Sequence, residues 1–382
     1  MFRIMSLFFC LFSPVLYAIT DKSECQKHQC MAVVDAGSSG SRLHVYAYDL
    51  DETNTPINID EIWNRKAIPG LSAIEHEHGS VSTYMEKLFQ NAPKSVMPVY
   101  FYSTAGMRLL PKTHHKDINE LVADWFDKQY YWRLESARTI PGNEEGVYAW
   151  LAVNYQLKLL NQTDKPLSGV MDIGGASVQI IFPLQNEEGI DSNDKVDLDL
   201  YGQKFTLFSH SFLGLGQNEM GHQYFDLNSC YPQEYELPSG LYGKGDLDSC
   251  KNEIVTLVNS VHYVRKKAGN LVAKNNIETW HLIGGINNLL NDRFFPFSNQ
   301  RFTLQDLRSF TDSNHCHQPW SKLDAAYPNN FMFFNYCMLS SYLYALIVQG
   351  YTISPQQEIN FLPLNKSADW TIGVVLHHRK HG

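Results

Sequence analysis

The sequence predicts an α/β protein built from two related domains, and three observations carry that prediction. Residues 31–46, MAVVDAGSSGSRLHVY, read as an apolar strand, a turn of small residues from Asp35 to Ser41, and a second apolar strand. Residues 169–182, GVMDIGGASVQIIF, repeat that order with Asp172, Gly174, Gly175 and Ser177. The two aspartates stand 137 positions apart (172 − 35), about one domain's length. Composition is the third observation. A chain of 382 residues, 44% hydrophobic and 19% charged, is globular and long enough for two ordinary domains.

The turns suggest a chemistry. Small residues let backbone amides approach an oxyanion closely, and the hydroxyls of Ser38, Ser39 and Ser41 add donors. Asp35, at the end of a buried strand, is placed to hold a metal ion or its water. One Asp-x-Gly turn is an ordinary hairpin feature. Its recurrence implies one polyphosphate gripped from both sides.

Net charge is −9, which disfavours nonspecific binding to nucleic acid, since that binding relies on Lys and Arg against phosphate. The start of the chain, MFRIMSLFFCLFSPVLYA, has Arg3, an apolar run and the small residue Ala18, and reads as a secretory signal peptide over residues 1–18. A membrane anchor is the alternative; the run falls short of about 20 apolar residues, and Pro14 interrupts it. Cleavage leaves a charge of −10 (30 basic minus 40 acidic) and the six cysteines Cys25, Cys30, Cys230, Cys250, Cys316 and Cys337. An even count in an exported chain reads as three disulfides. Pairing between sequence neighbours (25–30, 230–250, 316–337) is the simplest of about 15 connectivities.

Further along, residues 49–62 read as a polar excursion between strands, and Val81–Leu88 has helical spacing. A short strand at Val99–Tyr102 leads into STAGMRLLP, and an amphipathic helix follows over Lys116–Tyr130. Ala137–Ile140 reads as a strand, PGNEEG as a turn, and Val147–Leu160 as a helix. Asn161–Pro166 is an exposed hinge, and 183–200 an acidic loop. A helix is expected over Lys251–Lys267 and a strand over Trp280–Ile283. Residues 331–349, FMFFNYCMLSSYLYALIVQ, are the longest apolar stretch of the mature chain. Asn335, two serines and three tyrosines favour a buried helix over a membrane span. The paired histidines, such as His315/His317 and His377/His378, lack metal-site spacing and read as surface residues.

Four segments, VVDAGSSGSRLHVY, STAGMRLL, GNEEGVYAWLAVNY and DIGGASVQI, together resemble the ecto-nucleoside triphosphate diphosphohydrolases, the apyrase family. FFNYC and WTIGVVL resemble its later motifs, and the chain looks most like the soluble, secreted bacterial members. The resemblance implies two RNase H-like domains of the actin/hexokinase/heat-shock-protein ATPase superfamily, with the active site in the cleft between them. It divides the mature chain into a first domain over 19–160 and 351–382, with the first phosphate loop and the catalytic Glu. The second domain, over 161–350, carries the second loop and the base-binding region.

The resemblance also implies roles. Glu145 is the catalytic base, Ser177 and Gln179 position the attacking water, and Thr104 contacts the terminal phosphate. Asp35 and Asp172 hold a divalent cation (Ca²⁺ or Mg²⁺, with Mn²⁺ a third option) through waters. Ser38, Ser39, Gly40, Gly174, Gly175 and Ala176 form the phosphate loops. Arg42 and Arg108 either touch phosphate or sit in structural ion pairs. Asn154, Trp370, Asn288 and Tyr336 are the nucleotide-side candidates, with Asn287 beside them, and Tyr336 has a core-filling alternative. The activity implied is divalent-metal-dependent hydrolysis of nucleoside tri- and diphosphates to monophosphate by a secreted or periplasmic monomer, without a covalent intermediate. Two rival readings are an exopolyphosphatase or guanosine pentaphosphate phosphatase, whose motifs match less fully, and an actin-like or chaperone-like nucleotide switch.

Overall fold

A computed structural model describes residues 21–75, 77–162, 164–363 and 369–378. The expected signal peptide lies outside these residues. Five strands form a first sheet in the order β3-β2-β1-β4-β5: β1 (Gln29–Ala36), β2 (Ser41–Leu50), β3 (Pro56–Ala67), β4 (Met97–Ser103) and β5 (Trp132–Thr139). β1, β2 and β3 run antiparallel, while β4 and β5 run parallel to β1. Seven strands form a second sheet in the order β11-β12-β10-β6-β7-β9-β8. They are β6 (Gly169–Ile173), β7 (Ser177–Pro183), β8 (Lys195–Leu200), β9 (Gln203–Leu213), β10 (Trp280–Gly284), β11 (Arg301–Phe302) and β12 (Ile359–Phe361). Its middle five, β9-β7-β6-β10-β12, repeat the order and directions of the first sheet. The repeat read from two turns is therefore a repeat of whole sheets.

Period-two alternation explains how β1 serves two cores. Ala32 and Val34 face a core with Leu43, Val45, Val99 and the helices His78–Phe89 and Lys112–Phe126. Met31 and Val33 face the opposite way, onto the helix Gly142–Gln156 and the C-terminal helix Thr371–His377. On the far side those helices meet Val170, Ile181, Leu207 and Ile283 of the second sheet. Every residue from Glu145 to Asn154 is buried. A helix buried all round is what lying between two sheets demands. A third core packs the other face of the second sheet against helices that include Tyr336–Leu343.

Several expectations need correction. Pro56–Ala67, inside and beyond the predicted excursion, forms strand β3, and Lys195–Leu200, read as loop, forms β8. Both are edge strands with one solvent-facing side, so polar residues mask their apolar alternation. The helix expected after the PGNEEG turn begins within it, at Gly142, which places Glu144 and Glu145 in its first turn. The helix from Leu247 does not run unbroken to Lys267, because Tyr263 adopts a left-handed φ of 56°. β12 pairs with β10, so the chain returns to the first half after Phe361 and not at 351. The three disulfides join sequence neighbours, Cys25–Cys30, Cys230–Cys250 and Cys316–Cys337. Tyr336–Leu343 is entirely buried, and among the described residues no helix is long and apolar enough to cross a membrane.

Candidate active site

Two hairpin turns face each other at the centre of the molecule. In the first, Gly37 N–H donates to the Gly40 carbonyl at 3.1 Å; in the second, Gly174 N–H donates to Ser177 at the same distance. Asp35 stands opposite Arg42 across its hairpin, and Asp172 opposite Gln179. The turns nearly touch, since a Cβ added to Gly175 would lie 2.6 Å from the Ser38 Oγ. The carbonyls of Gly174 and Gly175 accept from Gln217 and Asn218, both at 2.9 Å, at the start of the helix Gln217–Tyr224. Among the described residues, no protein acceptor takes the amides of Ser38, Ser39, Gly175 or Ala176. Such a concave set of unpaired amides suits an anion. Thr104 N–H donates to the Ala36 carbonyl at 3.2 Å, which holds the STAGMR segment beside the first turn.

Glu145 is only 7% exposed. Its Oε2 lies 2.8 Å from Arg108 Nη2 and accepts from Gln179 Nε2 at 3.2 Å. The Gln179 amide also lies 2.7 Å from Ser177 Oγ and 3.0 Å from Ser211 Oγ. Arg108 donates to Ser177 Oγ and to the Ile140 carbonyl, each at 3.0 Å. The expected trio of Glu145, Ser177 and Gln179 is thus one hydrogen-bonded cluster. The neighbouring acid, Glu144, is occupied by Arg138 (2.8 Å) and Tyr148 (2.7 Å), so the second acid of the pair is the one facing the turns.

Asp172 is buried and Asp35 half-buried, both in an acid-rich setting. Burial first, then Asp369 and Glu145, push the Asp35 carboxyl well above the usual range. Burial, then Glu145 and Asp369, push Asp172 up to about 8. Asp35 Oδ1 is buried with no hydrogen-bond partner among the described residues. At Gly284 (φ 89°) a Cβ would lie 2.3 Å from Asp172 Oδ1, so only glycine lets β10 end this close to the carboxylate.

Asp369 was not among the sequence-predicted residues. Its Oδ2 lies 3.1 Å from His44 Nε2 and 3.4 Å from Arg42 Nη1, and its Oδ1 accepts from Thr371 N–H at 3.0 Å. Burial works against its ionisation, but His44 and Arg42 outweigh burial and hold it well below the usual carboxylate range. Burial also opposes charge on His44, yet Asp369 and Glu61 (2.5 Å) raise it to about 9. Arg42, expected as a phosphate contact, is thus ion-paired, with a side chain 44% exposed.

The nucleotide-side candidates are not gathered at the turns. The Asn154 amide donates to the Trp150 and Ser168 carbonyls, and its oxygen accepts from Ser168 N–H, all within the core. Trp370 stacks on Tyr148 at 6.1 Å between the sheets. Tyr336 is 3% exposed, its hydroxyl tied to Asp292 at 2.8 Å and Asn330 at 2.9 Å, which favours the core-filling alternative. Asn288 is exposed beyond β10 and donates to the Gly285 carbonyl at 3.1 Å, whereas both polar atoms of Asn287 are buried with no partner among the described residues. His315 is buried against Cys337 and the Phe333 carbonyl, contrary to its surface reading; the nearby cysteine sulfurs are committed to the disulfide.

Residues 21–382 match the GDA1/CD39 (nucleoside phosphatase) family. Ectonucleoside triphosphate diphosphohydrolase 1 of Mus musculus is 26% identical over 411 residues, covering 90% of this chain and 80% of that one. Nucleoside-diphosphatase uda-1 of Caenorhabditis elegans is 30% identical over 292 residues, covering 63% and 61%. Among solved structures, a nucleoside triphosphate hydrolase from Neospora caninum is similar with a TM-score of 0.65 at 17% identity, covering 92% of both chains. An Aquifex aeolicus Ppx/GppA family member gives 0.53 at 14% identity, covering 91% of this chain and 96% of that one. These likenesses show a shared fold, two α/β sheets with a duplicated strand order.

Proposed function

Because the chain belongs to the GDA1/CD39 (nucleoside phosphatase) family, the apyrases, we propose that it hydrolyses both nucleoside triphosphates and nucleoside diphosphates to monophosphate and phosphate. The observation that carries this reading is the Glu145–Gln179–Ser177 cluster beside two facing turns with unpaired amides. The names of the relatives from mouse and nematode support the substrate class. Glu145 takes a proton from the attacking water, and Gln179 and Ser177 hold that water in line with the terminal phosphorus. The amides of the two turns and the Thr104 hydroxyl orient the phosphoryl oxygens. No covalent intermediate is needed.

The carboxylates fit a divalent cation. Asp35 has a buried oxygen with no partner among the described residues, and a set of hard oxygen donors suits Ca²⁺ or Mg²⁺. Asp35 and Asp172 would hold the ion through waters, and it would supply positive charge against the phosphates. Secretion after cleavage near Ala18 completes the proposal.

A phosphate-release assay on the mature chain tests it, with ATP, ADP and long-chain polyphosphate, each with Ca²⁺, Mg²⁺ or chelator. The expected result is release from ATP and ADP with either ion and almost none in chelator. Release from polyphosphate alone would assign the chain to the rival reaction.

A further inference from the structure

The duplicated frame points to a second site carboxylate. In the second half, Asp172 stands opposite Gln179, and Gln179 holds Glu145. Glu145 lies in the first turn of the helix that leaves the first sheet and packs between the two. In the first half, Asp35 stands opposite Arg42, and Arg42 holds Asp369. Asp369 lies just before the helix that follows the last strand of the second sheet and returns to the first. Each half thus presents one carboxylate, held by the residue opposite its hairpin aspartate, at the start of a helix that crosses to the other half.

We propose, on the apyrase reading above, that Asp369 is a positioning residue that helps fix how tightly the cleft holds a divalent cation, with Arg42 and His44 locking its orientation. Three partners define that orientation: Arg42 at 3.4 Å, His44 at 3.1 Å and the Thr371 amide at 3.0 Å. A fixed negative charge near a polyphosphate is repulsive unless a cation lies between them. Asp369 also acts on Asp35, whose buried Oδ1 has no partner among the described residues, and on Asp172, since its charge is among the causes that raise both. The simpler role, a cap on the C-terminal helix, explains the Thr371 contact but not the two cations gathered on the other oxygen.

Mn²⁺ serves as the probe, titrated into the chelator-treated mature chain with a non-hydrolysable nucleoside triphosphate analogue, and free ion is read by electron paramagnetic resonance. Asp369→Asn keeps an acceptor for the Thr371 amide but removes the charge facing His44 and Arg42, so it should lower the melting temperature. Measured well below that temperature, it should lose Mn²⁺ affinity by roughly 10- to 100-fold, the usual cost of removing an outer carboxylate. His44→Gln, which loosens the carboxylate without removing it, should give a smaller loss in the same direction. Mn²⁺ affinity within about twofold of wild type in both variants, with phosphate release from ATP intact in the wild type, overturns the positioning role and leaves the apyrase reading standing. Loss of Mn²⁺ affinity in a chain that releases no phosphate from any nucleotide would do the reverse.

Discussion

Replacing Asp172 by Asn tests the electrostatics of the cleft. Burial, Glu145 and Asp369 move this carboxyl from 3.8 up to about 8. Between those values the folded chain keeps a proton that the unfolded chain has released, so folding loses about 1.4 kcal/mol per unit of rising pH. The stability tied to this proton is complete below about pH 4 and is lost as pH rises through about 8. From about pH 5 to about pH 8 the loss reaches ~4 kcal/mol at most, because Glu145 and Asp369 can relax as Asp172 ionises. At ~2 °C per kcal/mol for a long chain, the wild-type melting temperature in chelator should fall by up to ~8 °C more than that of Asp172→Asn. Scanning calorimetry of both proteins across that range, at matched ionic strength, reads the difference. A divalent cation should flatten the wild-type slope, since an ionised Asp172 then faces positive charge. Parallel slopes in chelator would refute the claim that this carboxyl is held protonated by its surroundings.

Glu145→Gln should lower kcat by on the order of 10²–10⁴ while a non-hydrolysable diphosphate analogue still binds in calorimetry; full activity would remove Glu145 from the role of base. Gly175→Ala places a methyl group about 2.6 Å from Ser38 Oγ and 2.8 Å from Asn218 Nδ2, so both side chains must turn away and crowd the space between the two turns. KM for ATP should rise at least ~10-fold with little change in melting temperature, because the strain falls between turns and not in a core. Tyr336→Phe strips a hydroxyl from Asp292 and Asn330 and should cost ~1–3 kcal/mol of stability in denaturant titration. Its kcat and KM should be unchanged; a large rise in KM would mean that this ring touches nucleotide.

The twin hairpins, the α/β class and the neighbour-to-neighbour disulfides were legible because each is a local signal. Asp35 and Asp172 announce themselves by small-residue turns within a few positions, and Glu145 by a helix start beside them. Strands β3 and β8 escaped because one side of each faces water, which erases the apolar alternation a reader looks for. Motif membership also marked Asn154, Trp370 and Tyr336 without saying how they act, and the fold places all three in packed cores. A residue required for packing and one required for contact with a ligand leave the same trace in a single sequence.

The repeated frame and the acids at its turns can be read along the chain, since backbone conformation and strand patterning follow from near neighbours. Which charge answers which is settled by packing in three dimensions. Arg42 meets Asp369 across 327 positions, Gln179 meets Glu145 across 34, and Arg108 turns to Glu145 and Ser177 from the short helix Ala105–Arg108. Buried charges are tolerable only when paired, and their partners are chosen by three-dimensional packing, which no spacing along the chain encodes.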